Sequence, residues 1–548
     1  MKACPGIIVR TRLAAPFPCA TDTASTRAIR AVQVGGLCLT LLALGGLMPV
    51  RADWTPPESS VTPPALVTLD AFAAQGADGF HPYAALVAGP DGALYGSTYQ
   101  GGAHGYGTLF RLATSGTFTK LHAFNGTDGA FPSAALAAGP DGALYGSTYQ
   151  GGALGYGTLF RLATNGVFTT LHEFNGPVGA NRSAALVVGA DAALYGSTYG
   201  GGALGYGTLF RLTTTGTFTK LHEFSGTDGA GPSAALVVGA DGALCGSTYG
   251  GGALGYGTLF RLATTGTFIR LHDFNGTDGA GPSAALVVGA DGALYGSTVQ
   301  GGTIGRGTLF RLATNGTFTM LHDFNNTDGA FLYAALAAGE DGALYGSTFA
   351  GGASGYGTLF RLAINGIFQK LHDFNVTAGA LPNAALVVGP DGALYGSTQF
   401  GGASGYGTLF RLATNGTFTK LHDFNGSDGT YPSAALVVGA DRALYGAVAS
   451  GGPRGGGILF KLVLNRAPVA KCQNVTVSAW ADCTANASID HGSFDPDGDA
   501  ISLTQSPAGP YGLGQTTVTL TVSDSHGASA SCVATVTDRK STRLNSSH

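Results

Sequence analysis

The chain has 548 residues, of which 91 are glycine and only 11% are charged, whereas an ordinary soluble domain has about 25% charged residues. The net charge of −4 and the pI near 6.3 exclude the clustered lysines and arginines that a nucleic-acid-binding surface needs. The length allows two or three domains, and this much glycine without a collagen triplet indicates many tight turns.

The N-terminal segment has the features of a secretory signal. Arginines precede an apolar run, residues 34–50, which ends in a small-x-small cleavage site at residues 50–52. We therefore predict a signal over residues 1–52, a linker over residues 53–65, and a mature extracellular chain without a membrane span. A membrane anchor is the alternative, but a run of about 17 mixed residues is short for a bilayer.

A 50-residue unit recurs eight times between residues 66 and 465 without an insertion. Each unit contains four short runs of strand-forming residues separated by turn signals, which in the second unit are residues 134–139, 143–149, 158–164 and 167–174. Four strands in a repeat of this length are typical of one β-propeller blade. The eighth unit lacks its fourth strand, and residues 66–72 provide one at the other end of the region. The fold class predicted for this region is therefore all-β, an eight-bladed β-propeller closed by that strand.

The repeat unit carries the motifs Leu-Tyr-Gly-Ser-Thr-Tyr, Gly-Gly-Ala, Gly-Tyr-Gly-Thr-Leu-Phe-Arg-Leu and Leu-His-x-Phe. In these motifs it closely resembles the GloVer repeat of bacterial cell-surface or secreted proteins with varied C-terminal anchors. Its period and its Gly-Gly doublet also resemble those of kelch propellers. The resemblance implies an extracellular bacterial location and a propeller architecture, and it supplies no catalytic residue.

Residues 466–538 resemble a bacterial HYR-type Ig-like module in the motifs at residues 467–472 and 494–499. The resemblance implies a small β-sandwich that acts as a spacer or an adhesive unit. Cys472, Cys483 and Cys532 allow three pairings, and the sequence alone does not choose among them. We expect Cys472–Cys532, which would join the first and last strands. Residues 539–548 match neither pattern and are interpreted as a foreign or artefactual tail.

One motif of this module suggests a metal ion. Asp495, Asp497 and Asp499 place three carboxylates at i, i+2 and i+4, a spacing that can converge on Ca²⁺. Ser506 stands where an EF-hand loop needs its final glutamate, so the segment is not an EF-hand. A plain surface turn is the alternative, and we predict no other cofactor.

Two recurring polar residue types are interpreted as parts of the scaffold. A zinc site needs all its histidines within about 2.1 Å of one ion, and equivalent positions of different repeats lie apart. The Asp-Gly pairs between repeats are typical of turns and are equivalent to one another, whereas an acid/base pair needs two different environments. We therefore predict no enzyme. The histidines are His122, His172, His222, His272, His322, His372 and His422.

The long loops are the predicted binding surface. Because strand direction alternates, the two short hairpins of a unit share one face, and its Gly-rich and inter-repeat loops share the other. The units differ mainly in these long loops, where ligands usually bind, although drift without function is the alternative. We predict a monomeric binding or adhesion protein for a glycan or a protein; the rival hypotheses are a purely structural surface-layer protein and a polysaccharide-acting enzyme. The candidate ligand-binding residues are His81, Tyr106, Phe131, Arg306, Phe331 and Tyr431.

Overall fold

The 50-residue units fold into antiparallel sheets whose four main strands follow chain order, except in the eighth, where a strand from before the first unit takes the fourth place. The structure is a computed structural model and describes residues 65–479, 484–525 and 527–540. Within these residues the chain is all-β, without an α-helix. The predicted signal, most of the linker, Cys483 and residues 541–548 of the predicted tail lie outside the described residues.

The strands occupy equivalent positions in all eight sheets. The first strands are Val87–Ala88, Ala137–Ala138, Val187–Val188, Val237–Val238, Val287–Val288, Ala337–Ala338, Val387–Val388 and Val437–Val438. The second strands are Leu94–Thr98, Leu144–Ser147, Leu194–Gly200, Leu244–Thr248, Leu294–Ser297, Leu344–Thr348, Leu394–Thr398 and Leu444–Val448. The third strands are Thr108–Leu112, Thr158–Leu162, Thr208–Leu212, Thr258–Leu262, Thr308–Leu312, Thr358–Leu362, Thr408–Leu412 and Gly455–Val463. The fourth strands are Phe118–Ala123, Phe168–Glu173, Phe218–Glu223, Phe268–Asp273, Phe318–Asp323, Phe368–Asp373, Phe418–Asp423 and, for the last sheet, Ala65–Ala73; an extra strand, Ala180–Ser183, pairs in the third sheet.

The second and third strands form the buried centre of each sheet. Leu94, Tyr95, Leu109 and Phe110 have no solvent-exposed surface. Gly96 lies opposite Phe110, and a Cβ at that glycine would come within 2.6 Å of the phenyl ring. The glycine in the Leu-Tyr-Gly motif is therefore needed because an aromatic ring packs directly on its backbone.

Neighbouring sheets are joined by a phenylalanine that follows the fourth strand. Phe124 contacts Phe160 and Phe168 of the next sheet, with ring centroids 5.5 and 5.6 Å apart. Equivalent apolar clusters lie between all successive sheets of the region. Burial of these rings supplies the main apolar stabilisation of the repeat region.

The last sheet packs on the first. Strand Ala65–Ala73 pairs antiparallel with Gly455–Val463 and extends one residue beyond each end of the predicted closing strand. Phe72 contacts Phe110 and Phe118 of the first sheet, as Phe124 contacts its own neighbours, and one apolar cluster spans the two sheets. These repeated four-stranded sheets form a β-propeller-like repeat fold.

The strands are shorter than the sequence pattern predicts. In the second unit, the first strand covers only Ala137–Ala138 instead of residues 134–139, and it pairs at two positions with the second strand. The preceding chain is held elsewhere, since the Ala130 N–H donates to the Gln150 carbonyl and Pro132 has no N–H to offer a ladder.

The C-terminal module has its own small core. Its four-stranded sheet consists of Val475–Ala479, Ser529–Lys540, Gly514–Asp524 and Ile501–Ser506, and a two-stranded sheet pairs Thr484–Ala485 with Tyr511–Gly512. Val518, Leu520 and Val522 are buried at every second position of one strand, as the period of two predicts.

Candidate functional site

The Gly-rich loops and the inter-repeat loops of successive sheets are hydrogen-bonded to one another, and we call the surface they form the long-loop face. In the first such contact, the Phe131 N–H donates to the Tyr106 carbonyl at 2.8 Å, and the Tyr149 N–H donates to the Phe131 carbonyl at 3.2 Å. The inter-repeat loop at Phe131 is therefore held between the Gly-rich loops of two neighbouring sheets, and the same pair of hydrogen bonds recurs at His81, Gly231, Gly281, Phe331 and Leu381. This fixes the backbone of the face independently of the side chains that it presents.

The central position of the inter-repeat loop has a left-handed backbone. Gly231 and Gly281 adopt φ of 62° and 60° there, which glycine does without strain. A left-handed conformation costs other residues about 1–2 kcal/mol, and strain of this kind concentrates at ligand-binding sites. Five of the equivalent non-glycine residues also adopt it, with φ of 57–61°: His81, Phe131, Phe331, Leu381 and Tyr431.

Phe131 lies in an aromatic pocket between the first two sheets. Its ring centroid is 5.8 Å from that of Tyr106 and 5.2 Å from that of Tyr99. Together with Asn125 and Gln150, Tyr106 and Phe131 line a cavity of about 340 Å³. The pocket thus combines aromatic rings with the amide residues Asn125 and Gln150. Tyr106 is 38% exposed.

His81 occupies the same position where the last sheet meets the first. Its N–H donates to the Gly456 carbonyl, and its Nδ1 lies 2.7 Å from the Ala449 carbonyl oxygen. Its ring stacks on Tyr83, which in turn contacts Tyr99, with both pairs of centroids 5.7 Å apart. A continuous run of rings therefore leads from His81 to the Phe131 pocket.

Tyr431 and Phe331 have aromatic or cationic neighbours of their own. The Tyr431 ring contacts Phe400 and Tyr406, at centroid distances of 5.0 and 5.8 Å. Arg306 replaces the usual tyrosine beside Phe331, and its Cζ lies 5.2 Å from the centre of that ring. Arg306 and Phe331 also line a cavity of about 420 Å³ together with an exposed tyrosine, Tyr256.

The structure thus places the six predicted residues on one face in three groups, which are the run of rings with His81, Phe131 and Tyr106, the pair Arg306 and Phe331, and Tyr431 with its neighbours. Tyr106 is brought together with Phe131, and Arg306 with Phe331. The sequence analysis missed the residues that complete these clusters, which are Tyr83, Tyr99, Gln150, Tyr256 and Phe400. The position of Tyr99 gave a usable signal, because it varies between repeats as position 131 does, with valine, phenylalanine, glutamine and alanine at 299, 349, 399 and 449.

The opposite surface, formed by the turns between first and second and between third and fourth strands, is called the short-hairpin face. In the sixth sheet, Asp341 Oδ2 accepts hydrogen bonds from the Tyr345 hydroxyl at 3.0 Å and from Arg361 at 2.8 Å. Burial opposes ionisation of Asp341, but the Arg361 hydrogen bond and the Ala343 N–H outweigh it, so the pKa of this carboxyl is lowered. Burial raises the pKa of the equivalent Tyr145 to about 12. Asp341 is thus held ionised as a structural partner of Arg361 and Tyr345.

The recurring histidines contact their own and the next sheet. His122 Nε2 lies 2.9 Å from Asp128 Oδ2, and its ring stacks on Phe168 of the next sheet at a centroid distance of 3.8 Å. Burial lowers the pKa of His122, and the Asp128 carboxylate only partly offsets this. His172 and His372 have no such aspartate, and their Nε2 atoms are buried without a hydrogen-bond partner. These contacts fit a scaffold role.

The predicted residues of the C-terminal module come together. The carboxylates of Asp495, Asp497 and Asp499 have ligand oxygens within 4.8 Å of one another. Cys472 and Cys532 form a disulfide. In the repeat region, Cys245 is a free, buried thiol whose pKa burial raises to about 11, so it is unreactive at neutral pH.

A family model described as the Gloeobacter/Verrucomicrobia repeat matches residues 59–257, 231–389 and 384–487. The chain belongs to this family. The match covers the repeat region and part of the following module, and the repeat family is bacterial. No curated protein matches the sequence of this Gloeobacter/Verrucomicrobia repeat protein.

Solved structures resemble the repeat protein only remotely. A streptogramin B lyase is 18% identical, with a TM-score of 0.41 over 60% of this chain and 92% of its own. The periplasmic gluconolactonase of Pseudomonas aeruginosa is 18% identical, with a TM-score of 0.39 over 62% and 94%. Dipeptidyl peptidase 4 of Porphyromonas gingivalis is 11% identical, with a TM-score of 0.43 over 69% and 57%. At these values the likenesses carry no argument about activity.

No helix among the described residues of the repeat protein has the length and apolar character needed to cross a membrane.

Proposed function

We propose that this chain is a secreted or cell-surface binding protein whose repeat region, residues 66–465, is a closed, monomeric eight-bladed β-propeller that binds a glycan on its long-loop face. The observation that carries the proposal is the left-handed backbone at His81, Phe131, Phe331 and Tyr431. Two other repeats place glycine at this position. An aromatic side chain therefore adds strain that the loop does not require, and ligand contact is a reason to retain it.

The chemistry of the pockets favours a sugar. An aromatic ring offers its face to the apolar C–H side of a pyranose, while amide and backbone groups hydrogen-bond the hydroxyls. The Phe131 pocket offers both, since Tyr106 is exposed and Asn125 and Gln150 line the same cavity. Tyrosine also supplies contact area at low cost in conformational entropy. A protein ligand needs a broad contact surface, so separate small pockets fit it less well.

Binding is favoured over catalysis by what the acidic groups contact. On the short-hairpin face, Asp341 is paired with Arg361 and with a tyrosine hydroxyl. In the inter-repeat loops, Asp128 accepts from the Asn125 N–H and contacts His122. Carboxylates engaged in this way stabilise the sheets that carry them, so we propose no enzymatic activity. Residues 466–538 are proposed to be an HYR/Ig-like spacer.

A glycan array with the purified chain tests the proposal, followed by affinity measurements with any sugar that binds. Phe131→Gly removes the ring and suits the left-handed backbone, and it should weaken binding by about 2 kcal/mol, roughly 30-fold. Ala192→Gly is the matched control, because Ala192 has the same left-handed conformation, φ 61°, on the short-hairpin face. It should leave binding unchanged.

Three results would contradict this assignment. If no glycan binds, a structural role in a surface layer is favoured instead. If Ala192→Gly weakens binding while Phe131→Gly and Tyr431→Ala do not, the ligand binds the other face. Cleavage of the bound polysaccharide by the parent chain would show an enzyme.

A further inference from the structure

The acidic loop of the C-terminal module contains a buried carboxylate with an unsatisfied oxygen. Asp495 is only 9% exposed, and its Oδ2 is buried without a hydrogen-bond partner. Its Oδ1, in contrast, accepts from the Asp497 N–H at 2.7 Å and from the Asp499 N–H at 3.4 Å. Leaving a buried charged oxygen unpaired is costly, and such a group normally has a donor, a cation or a metal ion beside it.

The other two carboxylates of the loop converge on the same place. One oxygen from each of Asp495, Asp497 and Asp499 lies within 4.8 Å of the other two. An ion that contacts each oxygen at about 2.3–2.6 Å needs them no farther apart than about 5 Å. The loop therefore has the dimensions of a small cation site before any ligand moves.

Asp497 and Asp495 differ in their cationic partners. Arg466, the first residue of the module, contacts Asp497 Oδ1 at 2.6 Å through its Nε, and its backbone N–H donates to Asp497 Oδ2 at 2.7 Å. This ion pair neutralises one of the three carboxylates. Within the part of the chain that the structure describes, no cationic side chain lies within ion-pair distance of Asp495. Oxygen ligands of this kind select hard cations, and irregular loop geometry suits Ca²⁺ better than the octahedral Mg²⁺.

We propose that Asp495, Asp497 and Asp499 bind one Ca²⁺ ion. Asp497 and Asp499 also line a cavity of about 840 Å³, next to Asn465 and Arg466. The loop already holds Arg466 by two hydrogen bonds to Asp497. The ion and Arg466 therefore share Asp497, so the ion binds where the chain leaves the repeat region. This inference does not depend on glycan binding by the long-loop face.

Calorimetric titration of the EGTA-treated, desalted full chain with CaCl₂ tests the site. We expect one saturable site, with a dissociation constant on the order of 10⁻⁴–10⁻³ M as in extracellular modules, and a higher melting temperature in CaCl₂ than in EGTA. Asp495→Asn keeps the shape of the side chain and should weaken binding by about tenfold or more. Asp490→Asn is the matched control, because Asp490 is a half-buried carboxylate of the same module that accepts backbone N–H bonds from Ser493 and Gly492. It should leave calcium affinity unchanged.

Two further variants extend the calcium titration. If Asp495→Asn does not fold, Asp499→Asn should show the same loss of affinity. Arg466→Gln should bind Ca²⁺ more tightly than the parent, because it releases Asp497, whereas a merely structural role of this loop predicts no gain. The proposal is overturned if millimolar CaCl₂ gives neither heat nor a thermal shift in the parent chain. It is equally overturned if every folded aspartate variant binds like the parent, or if Arg466→Gln binds no better.

Discussion

The two faces of each repeat differ in what stays constant. On the short-hairpin face, the interaction itself recurs. Asp391 forms an ion pair with Arg411. In the last sheet a lysine replaces this arginine, and Asp441 forms the equivalent ion pair with Lys461. On the long-loop face, the backbone recurs while the side chain varies, since Phe131, Gly231 and Leu381 share one left-handed conformation.

This difference separates stability from recognition. A contact that is kept when one partner changes serves the sheet that contains it. A backbone that accepts phenylalanine, glycine or leucine is fixed by its hydrogen bonds to neighbouring loops, such as that from Phe131 to Tyr106, and leaves the side chain free for another role. Substitutions should therefore lower stability in the recurring scaffold and change binding in the variable loops.

The largest loss of stability is expected at the strand that joins the last sheet to the first. Phe72 is 2% exposed and packs on Phe110 and Phe118. Phe72→Ala should lower the free energy of unfolding by about 3–5 kcal/mol, measured by urea denaturation. Val67→Ala, in the same strand but 42% exposed, is the control and should cost less than about 1 kcal/mol. Equal effects of the two substitutions would mean that this strand does not complete the core.

Acid should destabilise the scaffold through its partly buried histidines. Burial lowers the pKa of His122, His172, His222, His322 and His372 in the folded chain, with nearby carboxylates offsetting this in part. The unfolded chain, with ordinary histidine pKa values near 6.5, then takes up protons first as the pH falls. Stability is therefore full above this value and is lost as the pH drops from about 6.5 towards the lowered native pKa values. Urea midpoints measured between pH 7.5 and pH 5 test this.

One substitution isolates a single histidine within that effect. Val178 stands where His122 has its partner Asp128, so Val178→Asp should raise the pKa of His172 and reduce the loss of stability in acid. Val178→Asn has the same shape without the charge and should reduce it less. Midpoints that do not depend on pH, or equal effects of the two variants, would show that these histidines are not the groups that titrate.

Much of the fold could be predicted from the sequence, because the same motifs occur at the same spacing in eight repeats. The 50-residue period, the four strands and the missing strand of the last unit could all be identified from motif spacing. Strand lengths could not, because the chain before the two-residue first strand pairs separately, through a bridge between Ala130 and Gln150. That bridge depends on a contact 20 residues away in sequence.

The candidate site was predictable as a face but not as a set of contacts. Variation between repeats identified the position of Phe131, since only the long loops change. The positive φ of that position was signalled by Gly231 and Gly281 but remained ambiguous while other repeats had large residues there. Tyr99 reaches Phe131 across an inter-sheet boundary, and no periodicity within one repeat encodes such a distance. The pairing of Asp341 with Arg361 lies within one sheet, 20 residues apart in sequence, and was not predicted either.

The smallest expected change in stability concerns Cys245, the one residue that departs from the recurring tyrosine of the second strands. Cys245 replaces the tyrosine of the Asp-Tyr-Arg group in the fourth sheet, and two consequences are visible. The side chain of Asp241 is 53% exposed, whereas that of Asp191 in the preceding sheet is 31% exposed. Leu294 of the next sheet is 7% exposed, although its equivalents, such as Leu194, are fully buried. The missing ring therefore leaves both a carboxylate and an apolar neighbour less covered.

Cys245→Tyr should restore this contact and raise the free energy of unfolding by about 1 kcal/mol, since Gly239 keeps the space in which the ring lies in other repeats. Cys245→Phe adds the ring without the hydroxyl, so the difference between the two variants measures the hydrogen bond to Asp241. Urea denaturation at neutral pH compares the stability of the parent chain, Cys245→Tyr and Cys245→Phe. The glycan affinity of all three should be identical. A tyrosine variant less stable than the parent would show that the fourth sheet has repacked around the thiol. A change in glycan affinity would instead break the separation between the short-hairpin face and the long-loop face.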